Sequence, residues 1–296
     1  MRIVVAGGSG FLGGALVRGW RGEGHEVKVL TRHPASIDDV PWGPQLSGGA
    51  WRSTLEGAGA VVNLAGEGIA DRRWTEARKT AILSSRVAAT RALALAIREC
   101  AQPPRMLISA SAIGYYGPHA DEPLTEDSSP GSDFLAQVCQ SWEREADAAA
   151  GIARIVFLRT GVVLARHGGA LPKMALPFRF FVGGRLGSGR QFVSWIHLED
   201  WVEMVRWALR TDVSGPLNLT APAPVTNGDF TRALGAAMHR PALLPVPAIA
   251  LQMMLGKEFA DALLLGGQRV LPARAERLGF QFRFATIDSA LREIFH

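Results

Sequence analysis

Three groups of residues in this chain have the types and the spacing to do chemistry. The first is Gly7, Gly10 and Gly13, spaced GxxGxxG. The apolar run Ile3-Val4-Val5-Ala6 precedes them, and Leu12, Ala15, Leu16 and Trp20 follow at helical spacing. Strand, glycine turn and helix, in that order, present backbone amides and a helix N-terminus to a dinucleotide pyrophosphate. Gly7 lets the chain turn sharply, Gly10 lets the backbone approach the phosphates, and Gly13 lets the helix close on the strand. Phe11 and Leu12 belong to the same turn.

The second group is Thr31-Arg32, at the tip of a second strand pattern over residues 26–30. A carboxylate about 20 residues beyond the glycines would hold the ribose 2′-hydroxyl of NAD. None stands here, and the planar fork of Arg32 suits a 2′-phosphate. The expected cofactor is therefore NADP, with NAD less favoured.

The third group is Ser111, Tyr115 and Tyr116, just beyond a strand pattern over 106–110. A serine hydroxyl polarises an oxygen, and a phenol exchanges a proton when a nearby lysine lowers its pKa. These are the only two tyrosines, and His119 and Ala120 stand four residues beyond them, so the sequence contains no Tyr-xxx-Lys pair. A phenol without that neighbour keeps a pKa near ~10. Two structural alternatives stay open: aromatic packing of the tyrosines at the cleft floor, and capping of backbone groups by Ser111.

The elements that must position these groups alternate in type. Residues 26–30, 60–64, 106–110 and 154–158 read as strands, and 75–100 and 133–150 as helices. Such alternation predicts an α/β, Rossmann-type, doubly wound parallel sheet. Residues 1–165 form the expected dinucleotide-binding core, with 195–222 returning to it. Residues 166–194 and 223–296 form a smaller substrate lobe that includes a C-terminal extension at about 245–293. Residues 34–57 yield no element, and 167–194, rich in Gly and Phe without a clear period, read as a substrate loop.

Composition narrows the partners. The net charge is +5, but the chain has only four lysines and its arginines are scattered, so no basic stripe for nucleic acid appears. Two cysteines make no disulfide framework, and no CxxC or HxH spacing suggests a metal. The apolar stretch 243–266 is broken by Lys257, Glu258 and Asp261, inside any ~20-residue bilayer-spanning window. With a strand at the start and no signal peptide, the expectation is a reduced cytoplasmic protein, monomer or homodimer, that binds a small-molecule substrate and neither nucleic acid nor membrane.

Seven motifs carry a resemblance: GGSGFLG at 7–13, NLAGEGI at 63–69, SASAIGYYG at 109–117, DFLAQVCQSWE at 133–143, RTGVVL at 159–164, GSGRQFVSWIHLED at 187–200 and GQRVLPAR at 267–274. On these the chain resembles the extended short-chain dehydrogenase/reductases of the nucleotide-sugar epimerase/dehydratase group. More narrowly, it resembles the atypical "epimerase family protein" members with a C-terminal extension of unknown function. The resemblance implies that Leu64, Ala65 and Gly66 line the cofactor, with Arg86 and Val163 beside them. It also implies that Arg185, Arg190 and Gln191 overlie the substrate cleft, where relatives contact a substrate diphosphate. It favours Tyr116 over Tyr115 as proton donor, through its Tyr-Gly step. Alignment on Glu143 puts Leu135 and Cys139 where the family has its catalytic tyrosine and lysine. Two functions follow: an NADP(H)-dependent epimerase- or oxidoreductase-like protein of atypical mechanism, acting on a small or nucleotide-sugar-like substrate, or a non-catalytic NADP(H) sensor with the same fold.

Overall fold

The computed structural model describes residues 1–44 and 49–296. The chain begins β1 (Arg2–Ala6), α1 (Phe11–Gly22), β2 (Glu26–Thr31), β3 (Asp39–Pro41), β4 (Ala60–Asn63) and α2 (Glu76–Glu99). It continues β5 (Met106–Ala112), β6 (Pro123–Leu124), α3 (Phe134–Glu145), β7 (Arg154–Thr160), β8 (Val162–Leu164) and α4 (Leu171–Arg179). Then come β9 (Phe192–Val193), β10 (Trp195–His197), α5 (Leu198–Arg210), β11 (Gly215–Leu219), β12 (Val225–Thr226) and α6 (Asn227–Met238). The C-terminal part holds α7 (Ala248–Leu255), α8 (Lys257–Ala260), a π-turn over Asp261–Leu265, β13 (Arg269–Val270), α9 (Ala273–Arg277) and α10 (Ile287–Phe295).

Seven strands form one parallel sheet in the order β11-β7-β5-β4-β1-β2-β3. Its central strands are apolar at most positions because helices cover both faces. Ile3 and Val5 join Leu16, Trp20, Trp201 and Met204 on the face of α1 and α5. Val4 and Val61 join Ala89, Leu93 and Ile97 of α2 on the other. Chain order reverses between β1 and β4, so the crevice at the ends of these strands is the topological switch point, where open α/β sheets bind ligands.

Caps fix the two helices nearest the cleft. Thr75 accepts from the Arg78 amide at 3.2 Å to start α2, and Asp133 accepts from the Ala136 amide at 2.8 Å to start α3. By length and apolarity α2 is the one described helix that could cross a bilayer. Here Ile82, Leu93 and Ile97 are buried within the fold.

The stretch 167–194 departs from its reading as a loop, because α4 lies inside it. Pro172 stands in the helix's first turn, where its missing N–H costs nothing. Glycines on both sides hid the helical period. Two of three two-stranded sheets, β10-β8 and β12-β9, pack around Phe178, Trp195, Phe230 and Leu291, and the third, β13-β6, sets Leu124 and Val270 against Tyr116. The extension is tied to α5 through Asp200, whose carboxylate accepts from the Arg283 and Phe284 amides, both at 2.9 Å. His197 adds a contact to Glu293 at 2.9 Å.

Candidate cofactor and substrate site

The glycine turn is built as a cradle. Gly7 has φ +80, and a Cβ there would lie 2.8 Å from the Leu64 carbonyl carbon. A Cβ on Gly13 would stand 2.2 Å from the Gly7 oxygen, so only glycine lets α1 close on β1. Gly10 differs: it is exposed, and its Cβ would meet only the Gly7 oxygen, at 3.3 Å. The first turn-to-turn bond of α1 runs from Gly14 N to Gly10 O at 2.8 Å. The amides of Phe11, Leu12 and Gly13 therefore precede it and have no helical acceptor. Neither a side-chain cap nor an acidic residue occupies this first turn. Positive helix-end potential and unbonded N–H groups thus face the switch point, which suits an anion.

Both sides of the crevice carry residues that the sequence singled out. Thr31 is buried, and its hydroxyl accepts from the His33 amide at 3.2 Å. Arg32 is exposed, with no side-chain partner among the described residues. The acids that follow are engaged elsewhere: Asp38 with Lys28 at 2.9 Å, and Asp39 with the Ala35 and Ser36 amides. Opposite, Asn63 fixes the turn by accepting from the Ala65 amide at 3.2 Å and donating to Thr90 at 2.8 Å. Gly66 adjoins Arg86, whose guanidinium lies 4.9 Å from the Trp142 ring centroid and donates to the Ile82 carbonyl at 3.0 Å. Burial lowers the pKa of Arg86, and no carboxylate pairs with it among the described residues. Val163 is buried in β8, with its carbonyl beneath Gly169. The Gly168-Gly169 turn roofs the Phe11 ring, and Lys173 reaches the Ala70 carbonyl at 3.3 Å. The segment 168–173 therefore touches both walls of the crevice.

Two of the three hydroxyls, those of Ser111 and Tyr116, are buried and bonded inside the protein. Ser111 Oγ donates to Glu143 Oε1 at 2.7 Å. Arg159 grips the same carboxylate in a bidentate pair, Nε to Oε1 and Nη2 to Oε2, both at 2.9 Å. Tyr116 is 0% exposed; its hydroxyl donates to Asn218 Oδ1 at 2.7 Å and accepts from Arg159 Nη1 at 3.1 Å. Burial pushes the Tyr116 phenol up to about 12. The preference for Tyr116 as proton donor is therefore corrected: its oxygen is sealed and satisfied inside the protein. Tyr115 is half-buried with its ring against Arg159, whose Cζ lies 3.4 Å from the ring centroid. No hydrogen bond engages its hydroxyl among the described residues. Asn218 extends the network by donating its side-chain amide to the Leu271 carbonyl at 2.9 Å. Glu126 bridges the Asn218 and Arg274 amides at 3.0 and 3.1 Å.

Sequence reasoning gave Glu143, Arg159, Asn218 and Glu126 no role in the site. A signal was present for the first two. Glu143 stands one turn beyond Cys139 on the buried face of α3, and Arg159 closes an apolar strand; each is a charge where only a paired one belongs. At the other aligned positions, Leu135 packs by Gly114, and Cys139 is buried with its thiol pushed up to about 12, chiefly by desolvation.

A cleft of about 660 Å³ opens beside Leu135. Trp74, Phe134 and Leu135 form one wall, and Ala262 and Leu265 of the extension form another. Trp74 meets Phe134 and Phe259 edge-on at 5.2 and 5.6 Å. Lys257, Glu258 and Asp261 supply charge at the cleft. None of the three residues expected over the substrate lines it. Arg185 and Arg190 are exposed elsewhere, and Gln191 donates its amide to the Leu186 and Leu264 carbonyls at 3.0 and 2.9 Å, which staples the loop to the extension. A smaller hollow of about 260 Å³ lies between Arg166, His167, Arg179 and Phe295. Among the described residues, no cluster of three His, Cys, Asp or Glu side chains is disposed to hold a metal ion.

Comparison with known proteins places this geometry. Residues 3–219 match the NAD dependent epimerase/dehydratase family, and 246–294 match a domain of unknown function, DUF1731. The chain is 41% identical over 299 residues to the epimerase family protein SDR39U1 of Mus musculus, covering 99% of each. It is 40% identical over 303 residues to the epimerase family protein YfhF of Bacillus subtilis, covering 99% of this chain and 98% of that one. The crystal structure of human epimerase family protein SDR39U1 (isoform2) with NADPH superposes with a TM-score of 0.93 at 38% identity, covering 99% of both chains.

Proposed function

This chain belongs to the NAD dependent epimerase/dehydratase family, and from that premise we propose that it binds NADP(H) at the β1–β4 switch point and serves hydride transfer to or from a small molecule. The observation that carries this reading is the open start of α1, set between Gly7 and Gly13, where side chains would collide with backbone. The human relative with NADPH adds support from a similar chain. When bound, the cofactor supplies the hydride.

The chain's own residues hold and orient. The Phe11, Leu12 and Gly13 amides take the pyrophosphate, and Arg32 takes the 2′-phosphate. Leu64, Ala65 and Gly66 form the facing wall, with the Arg86 guanidinium behind Gly66. Leu135 presents hydrocarbon where the family places its phenol, so it moves no proton. Tyr115 is the one phenol free of internal hydrogen bonds among the described residues; otherwise water must exchange the proton at the substrate oxygen. One observation favours the sensor reading: the Ser111 and Tyr116 hydroxyls are both committed to internal partners. Mixing the protein and NADPH with a panel of carbonyl compounds and following cofactor oxidation separates the two. Turnover that falls in Tyr115→Phe supports an enzyme with that phenol as donor; no oxidation by any compound, with tight NADPH binding, supports the sensor.

A further inference from the structure

We propose, resting on the cofactor reading above, that the substrate is an uncharged, largely apolar ring compound, a carbonyl or its alcohol, and not a nucleoside diphosphate sugar. The walls of the cleft carry the first part of the argument. Trp74, Phe134, Leu135 and Leu265 line it, and the Trp74 Nε1 is spent on the Ile69 carbonyl at 2.9 Å. The wall thus offers aromatic and aliphatic surface without an indole donor. A volume of about 660 Å³ admits a compound of several rings.

Charge carries the second part. A diphosphate needs cations and N–H donors. The residues lining the cleft include three carboxylates, Asp133, Glu258 and Asp261, against one ammonium, Lys257. That ammonium is paired with Asp261, and Lys79 is paired with Glu258 at 3.1 Å. Asp133 is held as the cap of α3. With these acids and bases spent on one another and on the helix cap, no lining cation is free to hold a diphosphate. Arg185 and Arg190, where relatives were expected to hold a diphosphate, point no guanidinium into the lining.

The test uses the full chain and the uncharged fluorescent probe N-phenyl-1-naphthylamine. We expect saturable binding, unaffected by excess UDP-glucose and weakened at least about tenfold in both Ala262→Glu and Ala262→Trp. The first variant adds charge to the cleft and the second fills it. Phe180→Ser, on an exposed apolar patch away from the cleft, should bind the probe as wild type does. Far-UV circular dichroism shows whether each variant is folded, and calorimetric titration of the wild type with NADPH tests the cofactor reading separately: a protein that takes the probe but not NADPH refutes that reading alone. Displacement of the probe by UDP-glucose would overturn the proposal. So would wild-type probe affinity in both folded Ala262 variants.

Discussion

Arg159 and Glu143 are 4% and 11% exposed at their side chains, yet both carry charge. Buried ions are tolerated only when paired, and removing one partner strands the other. Glu143→Leu should therefore cost about 3–5 kcal/mol in urea unfolding. The double variant with Arg159→Met should recover much of that loss, because it removes the stranded charge as well. Tyr116→Phe should lower stability by about 1–3 kcal/mol, the cost of an unsatisfied Asn218 oxygen, and leave any hydride-transfer rate unchanged. A rate loss without a stability loss would return Tyr116 to the reaction. Alkaline pH tests the same cluster. Burial raises the Cys139 thiol from 9.0 and the Tyr116 phenol from 10.0, each to about 12. The native state keeps these protons where the unfolded chain has lost them. Their contribution is whole below pH 9 and is lost as pH rises toward 12. Urea midpoints measured across this range should fall with pH, and the fall should be shallower in Cys139→Ala.

At the scale of elements, the sequence showed what repeats and missed what is held from a distance. Ile3–Ala6, Ala60–Asn63 and Met106–Ala112 were legible because strands covered on both faces are apolar at almost every position. The glycine turn was legible because steric demand there admits one residue type. Helix α4 was not, since its period is short and its flanks are glycine. Strand β6 was not, because its two residues find their partner only at β13. The Ser111 environment escaped for the same reason: its acceptor lies on α3 and its acceptor's partner on β7, so no local pattern records the network. The turn supplies its own contrast. Gly13→Ala should lower the melting temperature, because its Cβ collides with the Gly7 oxygen. Gly10→Val should melt closer to wild type than Gly13→Ala, because Gly10 is exposed and its Cβ meets only the Gly7 oxygen, at 3.3 Å. Thermal unfolding of the two variants checks both outcomes.

Across the whole molecule, the C-terminal extension is tied back to the preceding part of the chain by side-chain-to-backbone hydrogen bonds. Backbone amides of Arg274, Arg283 and Phe284 reach Glu126 and Asp200, and the extension supplies Ala262 and Leu265 to the cleft. Asp200→Ala should leave two amides unpaired and speed proteolysis within 245–296, detectable by mass spectrometry of the fragments. The central claim is that the switch point holds NADP(H), with Arg32 selecting the 2′-phosphate. Calorimetric titration of wild type, Gly10→Val and Arg32→Ala with NADPH and NADH tests it most directly. The prediction is one saturable site that prefers NADPH by about ten- to a hundred-fold, since a charge-assisted contact contributes ~1.5–3 kcal/mol. Arg32→Ala should erase the preference, and Gly10→Val should abolish binding while the protein stays folded. Equal affinity for both cofactors in wild type, or normal NADPH binding by Gly10→Val, would contradict the account.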